Sequence, residues 1–292
     1  MLLSGGFFCA IMKQTNENEA FPMAILCDCH AHSRYSFDSE STVDEMCGGA
    51  AEKGIQILAL TEHYDYDDRG GLLHYGSRHA ERMAEMAEAK IRWADRLELL
   101  CGIEVGQPHL KPDECRAFLK KGGFDVVIGS LHDICPGKDL YVDFDYSRME
   151  VCDAVYSQFF DEAMEMLEKA DFDVFGHFDY PLRMMQASIP EGSMLRWKDR
   201  MLPFLKALAD SGKALEINTS GVRRWIGRPG GEEWLLNAFR EYGGRRISVG
   251  ADAHCGKDAG TGIPDAYRQL LRCGFDEVTV YRGREPFAVS IR

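Results

Sequence analysis

Residues 24–32 read AILCDCHAH, a short apolar run that ends in two histidines separated by one residue. Brief apolar runs of this kind are typical of buried parallel strands. Seven more candidate strands follow at 55–60, 97–103, 124–130, 173–176, 213–217, 246–250 and 277–281. Helical patterns separate them at 42–53, 77–95, 112–121, 149–170, 193–211, 231–242 and 264–273.

This alternation predicts the fold class. Seven or eight strand–helix units favour a parallel α/β sheet, and a closed barrel accommodates that many units in one domain better than an open sheet does. No Gly/Ser/Pro-rich linker interrupts the chain, so residues 23–292 are expected to form one domain. Residues 1–22 include a polar stretch and precede Met23, a plausible start. We therefore expect them to be a poorly ordered or mis-called extension.

Local signals support these boundaries. Thr42 followed by Glu45 is the pattern of a helix capping box. Glycines stand where three helices should end, at Gly54, Gly122 and Gly212. The polar, irregular loops 133–148 and 178–192 follow strands and are expected to be functional.

Composition narrows the class of protein. Of 292 residues, 45% are hydrophobic and 28% charged, which suits an ordinary globular domain. The net charge of −13 argues against nucleic acid as a partner. The ten cysteines have no framework spacing, and no convincing signal peptide or membrane-spanning run occurs. A cytoplasmic protein with reduced thiols and no membrane partner is expected, while the oligomeric state stays open.

Residues suited to metal binding follow the first seven candidate strands. They are His30, His32, Glu62, His63, Glu104, His132, His177, Asn218, Asp252 and His254. The carboxyl ends of barrel strands converge on one mouth, so these residues are expected to share a pocket. A lone strand-end histidine is more often a structural hydrogen-bonder, but here six of the nine histidines hold such positions.

Imidazole and carboxylate groups are the usual ligands of zinc, manganese and iron. Two side chains separated by one strand residue point the same way, so His30 and His32 can grip one ion. Glu104 can bridge two ions with one oxygen each. His74 lies in a loop just after a strand, whereas His79 and His109 are expected at the surface.

The motif order resembles that of the PHP (polymerase and histidinol phosphatase) family. The matching stretches are DCHAHSRYSFDS, LALTEHYD, GIEVG, VIGSLHD, FGHFDYPLR, LEINTSG and GADAH, between residues 28 and 254. The resemblance implies a distorted (β/α)7 barrel, TIM-barrel-like in form, with two or three divalent ions (Zn, Mn or Fe).

The same resemblance implies a distribution of ligands. The first ion would be held by His30, His32, Glu104 and Asp252. The second would be held by Glu104, His132 and His177. The third would be held by His63, His254 and the residue eight positions after His30, which is Asp38 here and histidine in some relatives.

Within the family, the strings around these motifs look most like those of stand-alone histidinol-phosphate phosphatases. The chain is therefore expected to hydrolyse L-histidinol phosphate to L-histidinol and phosphate in histidine biosynthesis, through a hydroxide nucleophile generated at the metals. The expected catalytic residues are Glu104, Asp252 and His254.

Other residues are expected to bind the substrate or to orient ligands. The phosphate-binding candidates are Arg183 and Arg223, with Arg34 a weaker third. Asn218 is a candidate for reading a substrate polar group, and Glu62 for orienting a metal ligand. Acidic or aromatic groups for the imidazole and amino group of histidinol could come from Tyr64, Phe178, Asp179 and Tyr180.

Four alternatives remain open. The chain could act on another phosphorylated metabolite or nucleotide. It could be an amidohydrolase-like enzyme that cleaves C–N bonds, although such enzymes usually carry a bridging lysine after strand four, where His132 stands. A nuclease or proofreading module is disfavoured by the acidic charge, and a non-catalytic binder by the complete set of ligands.

Overall fold

The computed structural model describes residues 24–66, 72–73, 78–134 and 138–292. Seven strands form one parallel sheet in chain order: β1 Leu26–Asp28, β2 Ile55–His63, β3 Glu98–Gly106, β4 Val126–Ser130, β5 Val174–Phe175, β6 Ala214–Asn218 and β7 Ile247–Gly250. Each of the first seven predicted strands is confirmed. The predicted extension at residues 1–22 and the loop residue His74 lie outside the described residues.

The first and last strands meet beyond their carboxyl ends. Cys29 N donates to Val249 O at 2.8 Å, and Asp252 N donates to His30 O at 2.7 Å. A parallel bridge joins Ala31 to Ala253. The sheet is thereby nearly closed, and the prediction of a distorted (β/α)7 barrel is confirmed. The distortion is visible in β1 and β5, which contain three and two residues.

In the described part of the chain seven helices cover the sheet, and the ends of each were predicted to within five residues. They are α1 Val43–Glu52, α2 His79–Trp93, α3 Pro112–Gly122, α4 Met149–Lys169, α5 Lys198–Ser211, α6 Glu233–Glu241 and α7 Ile263–Arg272. The capping box is present, since the Thr42 side chain accepts from Glu45 N and Glu45 accepts from Thr42 N. Helix α3 includes Gly122, so the left-handed cap falls one residue later, at Gly123.

Short elements fill the connections. One-turn helical segments span Pro108–Leu110, Tyr180–Arg183, Leu195–Trp197, Ser220–Arg223 and Gly256–Asp258. Two small antiparallel pairs join Asp65–Tyr66 to Leu72–Leu73 and Asp133–Ile134 to Lys138–Asp139. Several of these segments follow barrel strands, and they carry side chains of the site described below.

The eighth predicted strand lies outside the barrel. It forms β8, Glu277–Arg282, which pairs antiparallel with β9, Glu285–Ser290. The turn between them places Gly283 and Arg284 in the left-handed region. The Arg284 guanidinium also donates to both carboxyl oxygens of Asp171, at 2.9 and 2.7 Å, so the turn is fixed to the segment that precedes β5. The barrel therefore contains seven strand–helix units rather than eight.

The burial of the two described histidines outside the cluster differs from residue to residue. His109 was expected at the surface, but it is 5% exposed and its Nε2 lies 3.6 Å from Glu162 Oε2. His79 is half-buried, with its ring against Phe118. The eight cysteines in the described part of the chain are all unpaired, whereas Cys9 and Cys135 lie outside it. None of the described helices is long and apolar enough to cross a bilayer.

Candidate metal centre

A cavity of about 500 Å³ opens at the carboxyl ends of the barrel strands. Seven of the nine predicted metal ligands line it: Asp38, His63, Glu104, His132, His177, Asp252 and His254. The other two, His30 and His32, are fully buried in contact with Glu104. The structure thus brings together side chains that are up to 224 positions apart in the sequence.

Glu104 stands at the centre of the cluster and is 0% exposed. Its Oε1 lies 2.7 Å from His177 Nε2 and 3.1 Å from His132 Nε2. Its Oε2 lies 3.2 Å from His30 Nε2 and 3.4 Å from His32 Nε2. Oε2 also lies 3.2 Å from His63 Nδ1, so each oxygen faces its own set of imidazoles, two at Oε1 and three at Oε2, which is the arrangement that a bridging carboxylate needs.

A further group forms around Asp38, in the loop after β1. Its Oδ2 lies 2.9 Å from His254 Nε2 and 3.5 Å from His63 Nε2. The His32 ring lies between the other two rings, with centroid distances of 4.3 Å to both His63 and His254. The Asp38 carboxylate therefore lies close to the Nε2 atoms of both histidines.

Potential ligand atoms gather in four groups within 4.8 Å. They are His32, His63 and His254; His30, His32 and Asp252; His30, Glu104 and His177; and His63, Glu104 and His132. Three neutral or anionic donors of this kind suit a divalent transition metal. The groups overlap with the ligand sets implied by the family resemblance, and they add a contact of His63 with Glu104 and His132.

Two carboxylates that the sequence reasoning missed hold the imidazole rings from behind. Glu216 Oε1 lies 2.5 Å from His30 Nδ1, and Asp65 Oδ2 lies 2.9 Å from His132 Nδ1. Because a carboxylate accepts, each Nδ1 carries the proton and each Nε2 is left to face the cluster. Glu216 could have been found, because it stands two residues before Asn218 on the same strand face.

Asp252 is fixed from several sides. Its backbone lies in the left-handed region, with φ of 51°, which is uncommon for a residue with a Cβ. Arg183 Nη2 donates to its Oδ2 at 2.8 Å, and Asn218 Nδ2 donates to the same oxygen at 3.2 Å. Asn218 is 3% exposed. It therefore supports the Asp252 carboxylate from behind and is not among the residues that line the cavity, and its role in reading a substrate group stays a prediction.

The predicted phosphate-binding arginines divide in the structure. Arg183 lines the cavity, as expected. Arg223 instead points away from the cavity: its Nη2 donates to Asp252 O at 3.1 Å, and its Nε lies 3.6 Å from Asp258 Oδ2. Its neighbour Arg224 lines the cavity and takes the place that Arg223 was predicted to hold. Arg34 is paired with Glu85 at 2.6 Å, away from the cavity wall.

Aromatic side chains form part of the cavity wall. Phe37 is 54% exposed, with its ring 5.1 Å from that of His63, and Tyr141 is 58% exposed. Tyr180 also lines the wall, as predicted.

The other mouth candidates lie elsewhere. Tyr64 stacks on Phe118, and Phe178 stacks on Phe204 within the core. Asp179 is buried, and its pKa is raised to about 6 by burial. These three residues do not supply the cavity wall that was expected of them.

The electrostatics of the metal-free cluster follow from these contacts. Burial alone would lower the pKa of His132, but the charges of Asp65 and Glu104 outweigh it and raise the pKa to about 10. The pKa values of His30 and His63 are likewise raised above the ordinary value. Protons on these rings therefore balance the buried carboxylates, and a divalent cation would have to displace them.

Comparisons with known proteins give matches over most of the chain. A family model described as the PHP domain matches residues 28–220. A "Probable histidinol-phosphatase" of Thermotoga maritima is 25% identical over 265 residues, which are 91% of this chain and 99% of the relative. The histidinol-phosphatase of Lactococcus lactis is 26% identical over 260 residues, which are 88% of this chain and 94% of the relative.

Among solved structures, a similar fold is that of the L. lactis histidinol phosphate phosphatase complexed with zinc, L-histidinol and phosphate. It matches with a TM-score of 0.75 at 23% identity. The match covers 90% of this chain and 98% of that chain.

The metal-free protein is expected to lose stability as pH rises from 6.5 to 8. His30, His63 and His132 have folded-state pKa values above the unfolded value of about 6.5. The stability that they contribute is complete below that pH and is lost as pH rises towards the folded values. The free energy of unfolding should fall by up to about 1.4 kcal/mol per pH unit for each such proton.

Urea unfolding of chelator-treated protein at several pH values measures this loss. The variant His132→Gln should show a shallower decline, because it lacks one of the protons. An equally steep decline in the variant would contradict the assignment of that proton to His132.

Proposed function

The chain belongs to the PHP domain family, and on that premise we propose that it is a metal-dependent phosphomonoesterase that hydrolyses L-histidinol phosphate to L-histidinol and phosphate. The observation that carries this proposal is the position of Glu104, whose two oxygens face separate sets of imidazoles, three at Oε2 and two at Oε1. The names of the two similar proteins, both histidinol-phosphatases, support the choice of substrate. The pathway in which such an activity serves is histidine biosynthesis.

The ligand chemistry fits two or three divalent ions of zinc, manganese or iron. The residues that would hold them are His30, His32, Asp38, His63, Glu104, His132, His177, Asp252 and His254. When bound, such ions neutralise phosphate oxygens and supply a hydroxide nucleophile near neutral pH. Glu104 and Asp252 would contribute negative charge to balance the ions, and His254 would complete the group of donors around Asp38.

Around the metals, the chain's own residues would bind the phosphate. Arg183 and Arg224 line the cavity with planar, permanently charged guanidinium groups, which suit phosphate oxygens. Arg183 is held in place by Asp252 and lies over the Tyr180 ring, 4.7 Å from its centroid. One arginine is therefore pre-positioned before the phosphate arrives, which reduces the entropy lost on binding.

The side chains in the outer part of the cavity suit a leaving group that is flat and positively charged. Phe37 and Tyr141 offer aromatic faces, and Asp133 offers a carboxyl group in the cavity lining. An imidazole ring can stack on the aromatic side chains, and an ammonium group can pair with a carboxylate. These features favour L-histidinol phosphate over a phosphorylated sugar.

Two alternative activities find less support. Among the described residues that line the cavity there is no lysine, so an amidohydrolase-like bridging lysine has no counterpart there. Another phosphorylated metabolite remains the second candidate, because the metal cluster and the arginines recognise the phosphate rather than the rest of the molecule.

A substrate panel tests the proposal. Phosphate release should be metal-dependent, with kcat/KM for L-histidinol phosphate about tenfold or more above that for glycerol 3-phosphate or a nucleoside monophosphate. A phosphodiester and an amide should be hydrolysed far more slowly. Zinc, manganese and iron are added separately to chelated protein. Preference for another monoester would overturn the substrate but keep the chemistry, and inactivity on every monoester would overturn both.

Glu104→Gln should lower kcat by roughly three orders of magnitude, the scale on which loss of a pre-organised electrostatic group acts. The neutral amide offers one oxygen and cannot bridge two cations. Metal content, measured by atomic emission, should fall in parallel. Retained activity with normal metal content would eliminate the bridging role.

Arg224→Met should raise KM for the phosphomonoester by about 10- to 100-fold, because a charge-assisted hydrogen bond is worth about 1.5–3 kcal/mol. Arg34→Met is the matched control, since it removes an arginine that is paired with Glu85 outside the cavity. Steady-state kinetics at saturating metal measure both variants. Equal effects in the two would show that Arg224 does not bind the phosphate.

A further inference from the structure

We propose that Ser36, backed by Glu62 and Arg82, is a positioning residue that fixes His32 in the Nδ1–H tautomer and thereby presents its Nε2 to the metals. The proposal rests on the metal centre of the proposed function. It concerns how one ligand is prepared, and its main readouts need no substrate.

Ser36 makes three hydrogen bonds through one buried hydroxyl. Its Oγ lies 2.7 Å from Glu62 Oε2, 3.1 Å from His32 Nδ1 and 3.1 Å from the main-chain nitrogen of His63. Ser36 is 4% exposed and Glu62 is 0% exposed, so bulk water does not compete for these bonds. Each of the three partners therefore constrains where the single hydroxyl proton lies.

The proton positions follow from counting donors and acceptors. Glu62 already accepts from Ser33 N at 3.0 Å and from Ser33 Oγ at 2.7 Å, and as a carboxylate it can only accept. The Ser36 proton therefore points to Glu62. The His63 main-chain N–H occupies one lone pair of the Ser36 oxygen, and the other lone pair can only accept, so His32 must carry its proton on Nδ1.

Arg82 supplies the charge that a buried carboxylate requires. Among the described residues it is the largest fully buried side chain, and its Nε lies 3.7 Å from Glu62 Oε1. Its Nη2 also donates to Leu60 O at 2.7 Å and to Gly102 O at 2.8 Å, on the adjacent strands β2 and β3. A buried charge without a partner is strongly destabilising, so this arginine secures Glu62 in the position that Ser36 needs.

The His32 ring differs from the other supported rings. His30 and His132 are held directly by carboxylates, whereas His32 is held through a neutral hydroxyl. The flanking rings of His63 and His254 fix the plane of the His32 ring, but stacking does not decide which nitrogen carries the proton. That decision falls to Ser36.

The variant pair Ser36→Ala and Ser33→Ala tests this assignment. Both remove a hydroxyl that donates to Glu62, but only Ser36 touches an imidazole. Competition with a chromophoric chelator should show zinc affinity about 10- to 100-fold weaker in Ser36→Ala, the usual effect of losing such a support. Ser33→Ala should bind zinc like the unaltered protein. Equal losses in both variants, or no loss in Ser36→Ala, would overturn the proposal.

A second measurement needs no variant. Long-range ¹H–¹⁵N correlation spectra of the unaltered zinc-loaded protein report which ring nitrogen of each histidine is protonated. The His32 signals should be those of the Nδ1–H form, and the Nε2–H form would overturn the proposal. Active phosphatase with the wrong tautomer would remove only this inference. The expected tautomer without any phosphatase activity would remove only the proposed function.

Discussion

Glu104 places a carboxylate in the middle of the barrel, where it is shielded from bulk water. Desolvation there is costly, and only positive charge at short range offsets it. Five histidines from four different strands or strand ends approach its two oxygens: His30, His32, His63, His132 and His177. The convergence of the strands supplies this positive charge when the rings are protonated, and the same nitrogens can give it up to metal ions.

The support for this centre extends outward in layers. Glu216 contacts the His30 ring from behind, and Asp65 contacts the His132 ring in the same way. The His32 ring is supported by Ser36, which is bonded to Glu62. Beyond these, Arg82 reaches from helix α2 to the main chain of two strands. Gly250 shows how tight the closure is, because a Cβ there would lie 2.2 Å from His30 Cβ. The outer helices and the ligand geometry are thus parts of one packed structure, in which a shift of one layer would move the next.

The sequence predicted the barrel and the convergence of eight of the nine clustered residues because both depend on simple rules, whereas Asp38 was predicted only through the family resemblance. Buried parallel strands are short and apolar, and the side chains at their carboxyl ends converge. These rules do not predict details that depend on side-chain packing. Arg223 and Arg224 are adjacent at the end of the one-turn helix Ser220–Arg223, and no local pattern indicates that Arg224 is the one that lines the cavity. In the same way, His109 is buried by its contact with Glu162 on α4, which no local pattern reveals.

The groups suited to binding metal and the groups suited to contacting a leaving group therefore come from different parts of the fold. The groups suited to binding metal lie mainly on strand ends or immediately beyond them, where backbone hydrogen bonds and core packing leave little freedom. The aromatic wall comes from loops: Phe37 follows β1, and Tyr141 follows the small pair after β4. Both rings are more than half exposed, so they contribute little to the core and can change without disturbing the fold. A strand-end cluster of this kind can keep one phosphoester chemistry while the loops alter which leaving group is accepted.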